Sequence, residues 1–228
     1  MEKRALFREA FKRTVPILCS YLFIGAAYGM MMAEAGQPWY ASLLVSLLVY
    51  TGAFQFVLIS FLSSGASLVT VALTALLMNS RQAFYSITFL DDFRRMGRYM
   101  PFMIHTMTDE TYAVNCSLSK DMPGRETVMR YCAGLSYLYW LLGTALGALA
   151  GQLIPWDMTG IDFCMTALFV IILIDQWEHS RDHLPALLGG GIALICLLIF
   201  GGTNFMLPAL LLTSAALLVR PGKEEKAA

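Results

Sequence analysis

The feature that most restricts this chain is a succession of about seven apolar runs, each near the length that carries a helix across a bilayer. They occupy about residues 15–33, 41–62, 67–90, 133–154, 161–177, 184–200 and 205–219, with short polar links between most of them. In lipid a backbone must satisfy its own N–H and C=O groups, so runs of this kind fold as helices. The chain is 57% hydrophobic and only 14% charged, against roughly 25% charged residues in soluble domains. The reading is an all-α, polytopic membrane protein of about seven transmembrane helices.

The ends and links refine that reading. Lys3, Arg4, Arg8, Lys12 and Arg13 outweigh Glu2 and Glu9, the mark of a cytoplasmic N-terminus ahead of a first span. That span is longer than a signal-peptide core and runs on into further spans, so it is expected to be retained. With a net charge of zero, nothing points to nucleic acid. The five cysteines form no C-x-x-C and read as packing residues, without a disulfide frame or a metal site.

Arg81 is the costliest residue. It lies in M-N-S-R-Q-A-F-Y-S, with Asn79, Gln82 and Tyr85, inside the third apolar run. An arginine at a bilayer centre costs roughly 2.5–3.5 kcal/mol on insertion scales. Either it snorkels from a shorter span, or it faces a polar cavity or partner. The second run carries Ser42, Ser46, Tyr50 or Thr51, and Gln55 at near-helical spacing. Its T-G-A-F-Q-F segment, residues 51–56, is a place where a helix can loosen and offer backbone groups to a ligand. Gln55 either serves that ligand or bonds a neighbouring helix. Thr70, Thr74 and Asn79 form a second polar stripe, and two such stripes suit a shared, partly hydrated cavity.

Residues 91–131 are polar, with six basic and six acidic side chains, and are expected to form short helices or a partly buried lid. His105, Asp109 and Glu110 stand out there. The two carboxylates are either solvated or half-buried beside the cavity and able to carry a proton. Gly25 with Gly29, and Gly143 with Gly147 and Gly151, have the spacing of close helix contacts, and Gly189 to Gly191 permit close packing or a bend. Asp162 and Asp175 are cheap interfacial carboxylates or coupling groups. His179 and His183 lack the third ordered ligand that a metal would need.

The second half echoes the first at an offset of about 117. Arg8-Glu9 falls on Arg125-Glu126, Arg13 on Arg130, and Pro38-Trp39 on Pro155-Trp156. The chain is then one transmembrane domain over 1–228, with repeat one at 7–90, a polar connector at 91–123, repeat two at 124–204 and an extra helix at 205–219. Three spans per repeat is odd, so the repeats are expected to be inverted. Charge disagrees, because the connector is as basic as the N-terminus, and positive-inside reasoning puts both in the cytoplasm. Either the connector's acids weaken that rule, or the segment near Asn79 is re-entrant and changes the parity.

Four segments in order carry a family resemblance: G-A-F-Q-F (52–56), M-N-S-R-Q-A-F-Y (78–85), T-D-E-T-Y-A (108–113) and I-D-F-C-M-T-A-L-F (161–169). Together they resemble the AzlC family of branched-chain amino-acid permeases over nearly the whole chain. The resemblance implies a multi-pass subunit of the bacterial inner membrane that works with a small AzlD-type membrane partner to export branched-chain amino acids.

The residues suit such a task. A zwitterion with an aliphatic side chain needs a positive group for its carboxylate, acceptors for its ammonium and apolar walls. Arg81 is the expected carboxylate partner, with Gln55, Asn79 and Tyr85 as polar contacts and Gly52 allowing backbone approach. Asp109 and Glu110 are the candidates for proton coupling or ammonium pairing. No cofactor is expected. An enzyme is disfavoured, because neither H-E-x-x-H nor G-x-S-x-G occurs. The alternatives are an exporter of another small amphiphilic metabolite, or a non-transporting structural or sensor subunit, which would show no substrate-dependent stabilisation.

Overall fold

The computed structural model describes residues 3–153, 162–179 and 182–219. Among them the regular elements are helices: α1 (Lys3–Glu34), α2 (Trp39–Leu48), α3 (Gly52–Ser64), α4 (Leu68–Thr88), α5 (Leu90–Arg95), α6 (Met100–His105), α7 (Asp109–Ser117), α8 (Arg125–Leu153), α9 (Asp162–His179), α10 (Leu184–Asn204) and α11 (Met206–Val219). Among the described residues, three stretches are long and apolar enough to cross a membrane: Lys3–Glu34, Arg125–Leu153 and Leu184–Gly201. Shorter apolar helices occupy Trp39–Leu48, Gly52–Ser64 and Met206–Val219. The Pro155-Trp156 marker lies outside the described residues, as do the side chains of Asp162, Asp175 and His179.

The chain forms two compact units, Met1–Ser63 with Asn79–Thr166, and Ser64–Met78 with Ala167–Ala228. The first is built on α1 and α8, whose small residues let the backbones almost touch. A Cβ added to Gly143 would lie 2.7 Å from the Tyr21 carbonyl oxygen, and one on Gly29 would lie 2.5 Å from the Ala148 nitrogen. On Gly147 it would overlap the Ala26 carbonyl. Paired positions rise together along this seam. Phe7 meets Tyr131, Thr14 meets Tyr139, Gly25 meets Thr144 and Ala33 meets Gly151, so α1 and α8 run parallel.

That direction corrects the inverted-repeat expectation, and the reason lies in the second apolar run. It is a helical hairpin, not one span. Gln37 sits beside Gln152 and Leu47 beside Tyr137, so α2 descends antiparallel to α8. Then α3 turns back. Gln55 Nε2 reaches Ser46 Oγ at 2.9 Å, whereas nine residues of unbroken helix would separate them by about 13 Å. At 10 and 13 residues, the two arms are about 15 and 20 Å long, short of a roughly 30 Å hydrocarbon core. Neither arm alone is long enough to cross. α8 starts at the same end of the seam as α1, in keeping with the positive charges of both segments. The re-entrant element is this hairpin; α4 passes Asn79 as continuous helix.

The connector folds as short helices, as expected, and its apolar residues Phe93, Met96, Met103, Met107 and Leu118, with Phe89 just before it, pack on Leu6, Ala10, Val128 and Met129. Burial of such side chains contributes about 1.5–3 kcal/mol each. Arg125 joins Asp92 at 2.6 Å, and Arg95 pairs with both Asp92 and Glu126. The ion pairs tie α5 to the start of α8.

In the second unit α10 and α11 pack together, with Thr213 3.5 Å from where a Cβ on Gly189 would lie. Gly189 to Gly191 lie in continuous helix, and α10 bends instead at Gly201, at φ 71°. Leu187, Leu194 and Leu198 are exposed, as lipid-facing side chains would be.

Candidate functional site

The site is organised by the hairpin tip. Between α2 and α3 the helix is interrupted at residues 49–51, and Tyr50 adopts φ 41°. A left-handed conformation is uncommon for a bulky residue and costs of order 1–3 kcal/mol. Burial holds it there. The Tyr50 ring is 2% exposed and packs on Tyr137 at 4.8 Å and on His105 at 6.1 Å. The Leu47 carbonyl, freed by the end of α2, accepts from Tyr137 Oη at 2.7 Å and lies 3.1 Å from His105 Nε2.

Polar groups run inward from the tip. Gln55, fully buried, donates to Ser46, and Ser46 Oγ lies 2.9 Å from Thr144 Oγ1 on α8. Gln55 and the Tyr28 hydroxyl face each other, and neither Oε1 nor that hydroxyl has a further partner. Tyr28 packs edge-on against Phe56 and stacks over Trp140. The Trp140 ring lies against Gly52, and an added Cβ there would meet it at 3.4 Å. Trp140 Nε1 and Thr51 Oγ1 are buried without partners, and Tyr50 Oη has the Tyr21 hydroxyl beside it. Native interiors pair nearly all such groups, so a cluster of orphans calls for a cause.

A second group comes from α7. Thr108 caps this helix in a reciprocal capping box with Thr111. The cap fixes Asp109 and Glu110 in the first turn, where the helix dipole favours carboxylates. The neighbours then diverge. Asp109 Oδ2 pairs with Arg81 Nη2 at 2.9 Å, with the two side chains 41% and 33% exposed. Glu110 Oε2 accepts from Tyr21 Oη at 2.7 Å, and Thr108 Oγ1 lies 2.9 Å from the same hydroxyl. Glu110 itself is exposed, so the group is open on one edge.

The structure thus sorts the residues singled out in the sequence. Arg81 joins Asp109, and Tyr85 stacks on Tyr112 at 4.3 Å. Gln55 and Gly52 belong to the hairpin group, and Asn79 is half-buried in α4. Tyr21 links the two groups, since it bonds Glu110 and its ring meets Trp140 edge-on at 5.3 Å. Tyr21, Tyr28, Trp140 and Thr144 escaped the sequence reading. Each looks like ordinary span composition, and only the fold brings them together.

The AzlC family profile, described as "AzlC protein", matches residues 16–154. A membrane protein of Helicobacter pylori strain J99, named only as uncharacterized, is 37% identical over 93% of this chain and 94% of its own length. The "Branched-chain amino acid transport protein AzlC" of Bacillus subtilis strain 168 is 34% identical over 98% of this chain and 88% of its own. The "Inner membrane protein YgaZ" of Escherichia coli K12 is 28% identical over 91% of this chain and 86% of its own. No solved structure matches.

Proposed function

The chain belongs to the AzlC family, and from that premise we propose that it is the large subunit of a secondary transporter exporting branched-chain amino acids across a bacterial inner membrane. It is a homologue of a branched-chain amino-acid transport protein. The observation that carries the reading is the interrupted hairpin, which puts unpaired polar groups among apolar helices. Helices broken at membrane depth, with half-helix ends exposed to a ligand, are the usual binding device of secondary transporters. The apolar rings of Tyr28, Phe56 and Trp140 suit an aliphatic side chain.

In this reading Gly52 and Gln55 form the substrate side of α3, and Asn79 and Tyr85 the side given by α4. Glu110 carries the coupling proton, with Asp109 held by Arg81. A small AzlD-type subunit completes the transporter. The two halves are related as same-direction repeats, because α1 and α8 run parallel and α4 and α10 are both 21 residues long.

Uptake of leucine and valine into inside-out vesicles, with and without the small partner and an imposed proton gradient, tests this. Gradient-driven uptake that requires both chains is expected. Absence of uptake with both chains inserted would refute the branched-chain assignment, and uptake indifferent to the gradient would refute proton coupling.

A further inference from the structure

Arg81 is the obvious anchor for a substrate carboxylate, but it already holds Asp109 at 2.9 Å. Freeing it would leave a half-buried Asp109 without its charge partner. The start of α3 has the opposite character. Its first-turn N–H groups have no acceptor within the helix, and the helix dipole makes that end partly positive. Thr51 occupies the capping position without capping, for its Oγ1 is buried and unpaired. The hydroxyl of Tyr50, the preceding residue, is also buried, with the Tyr21 hydroxyl beside it, and Tyr21 in turn donates to Glu110 at 2.7 Å. Trp140 Nε1, on the ring that rests against Gly52, is a second unused donor.

Donors without acceptors thus crowd one helix end, and a carboxylate lies close by on Glu110. An anion would satisfy the first and be repelled by the second; a cation would do the reverse. A zwitterion with its two charges one carbon apart satisfies both.

We infer that the α-carboxylate of the transported amino acid docks on the start of α3, against the Thr51 and Tyr50 hydroxyls and the first-turn N–H groups, while Glu110 receives the α-ammonium. This rests on the transport reading. Arg81 is then a positioning residue that holds Asp109, and through it the first turn of α7.

The test is competition against radiolabelled leucine binding in vesicles containing the full chain and its small partner. The probes are leucine, leucinamide (no carboxylate) and 4-methylpentanoate (no amine). Loss of one charged hydrogen bond corresponds to about tenfold or more in affinity. Leucinamide and 4-methylpentanoate should each compete at least that much more weakly than leucine. Thr51→Val and Tyr50→Phe should weaken leucine by about tenfold while leaving leucinamide where it was, and Thr51→Ser should restore leucine. Glu110→Gln should weaken leucine without weakening 4-methylpentanoate.

If Thr51→Val and Tyr50→Phe bind leucine as the parent does, while Arg81→Gln erases the distinction between leucine and leucinamide, the carboxylate belongs on Arg81 and the proposal falls. Where leucine does not bind, the same variants are taken through a panel of the other amino acids. The same pattern with another amino acid keeps the site and removes only the branched-chain assignment. No binding across the panel removes both.

Discussion

The α1–α8 seam and the hairpin tip lie in the same unit and obey opposite rules. Along the seam, glycines at Gly25, Gly29, Gly143 and Gly147 bring two backbones together until a single added carbon would strike a carbonyl or amide. At the tip, an aromatic residue sits in a conformation that glycine would take more easily, and polar atoms on Thr51 and Trp140 lack partners. One region is finished by the chain itself. The other is left incomplete in the valences that a small polar ligand supplies. The finished region makes the unfinished one possible, because strain and orphaned donors persist only where the surroundings over-determine them.

The sharpest way to break this contrast is to put a methyl on the seam. Gly147→Ala places a Cβ within the Ala26 carbonyl, with backbone on both sides and no side chain able to yield. We expect a loss above about 3 kcal/mol, beyond ordinary overpacking, read as a collapsed thermal midpoint in detergent. Gly190→Ala is the control, since nothing lies within 4 Å of its added Cβ. Helix propensity then predicts a change between zero and about 1 kcal/mol in favour of alanine. Equal effects at the two positions would show that the seam is not the scaffold.

The seam was legible in the sequence because small residues four apart have few other uses in an apolar helix. The short helices of the connector were legible from its charge. The hairpin was only half so. Residues 51–56 were marked as a place where a helix can loosen, yet the run 41–62 is long enough for a single span and carries no proline. Its reversal depends on Tyr137, His105 and Ser46 receiving the ends of the two arms, contacts that no local pattern encodes. The parity error in the repeat followed from that one reversal. Of the site, the residue types at Gln55, Arg81 and Glu110 stood out because charge and amide are rare in such runs. Their grouping did not, because Glu110 meets Tyr21 across 89 positions of sequence.

Arg81 offers a middle-sized test, since its pair with Asp109 belongs by composition to the site and by geometry to the scaffold. Both side chains are partly solvated, so breaking the pair should cost about 1–2 kcal/mol, between exposed and buried values. Arg81→Gln and Asp109→Asn should therefore lower the thermal midpoint by similar amounts. The double variant should be no worse than either single one, because no unpaired charge remains. An Arg81→Gln protein of unchanged midpoint that has lost leucine binding would move Arg81 from scaffold to ligand.

The smallest stability effect is expected at Gln55, which is why it is informative. Gln55→Leu removes a donor bond to Ser46 at 2.9 Å, yet it also removes Oε1, a buried acceptor that is poorly satisfied, with only the Tyr28 hydroxyl beside it. A hydrogen bond contributes about 1 kcal/mol net and an orphaned buried group costs about 1–3 kcal/mol, so the two terms oppose. Ser46 keeps its contact with Thr144. The thermal midpoint should thus move by no more than about 1 kcal/mol in either direction, while leucine transport falls by about tenfold if the amide's oxygen meets substrate. A midpoint drop as deep as that of Gly147→Ala would mean that the tip is a packed joint like the seam, its orphaned atoms carrying no function. A stable protein that still transports would leave Gln55 as a helix-to-helix tie and confine the substrate contacts of α3 to its first turn.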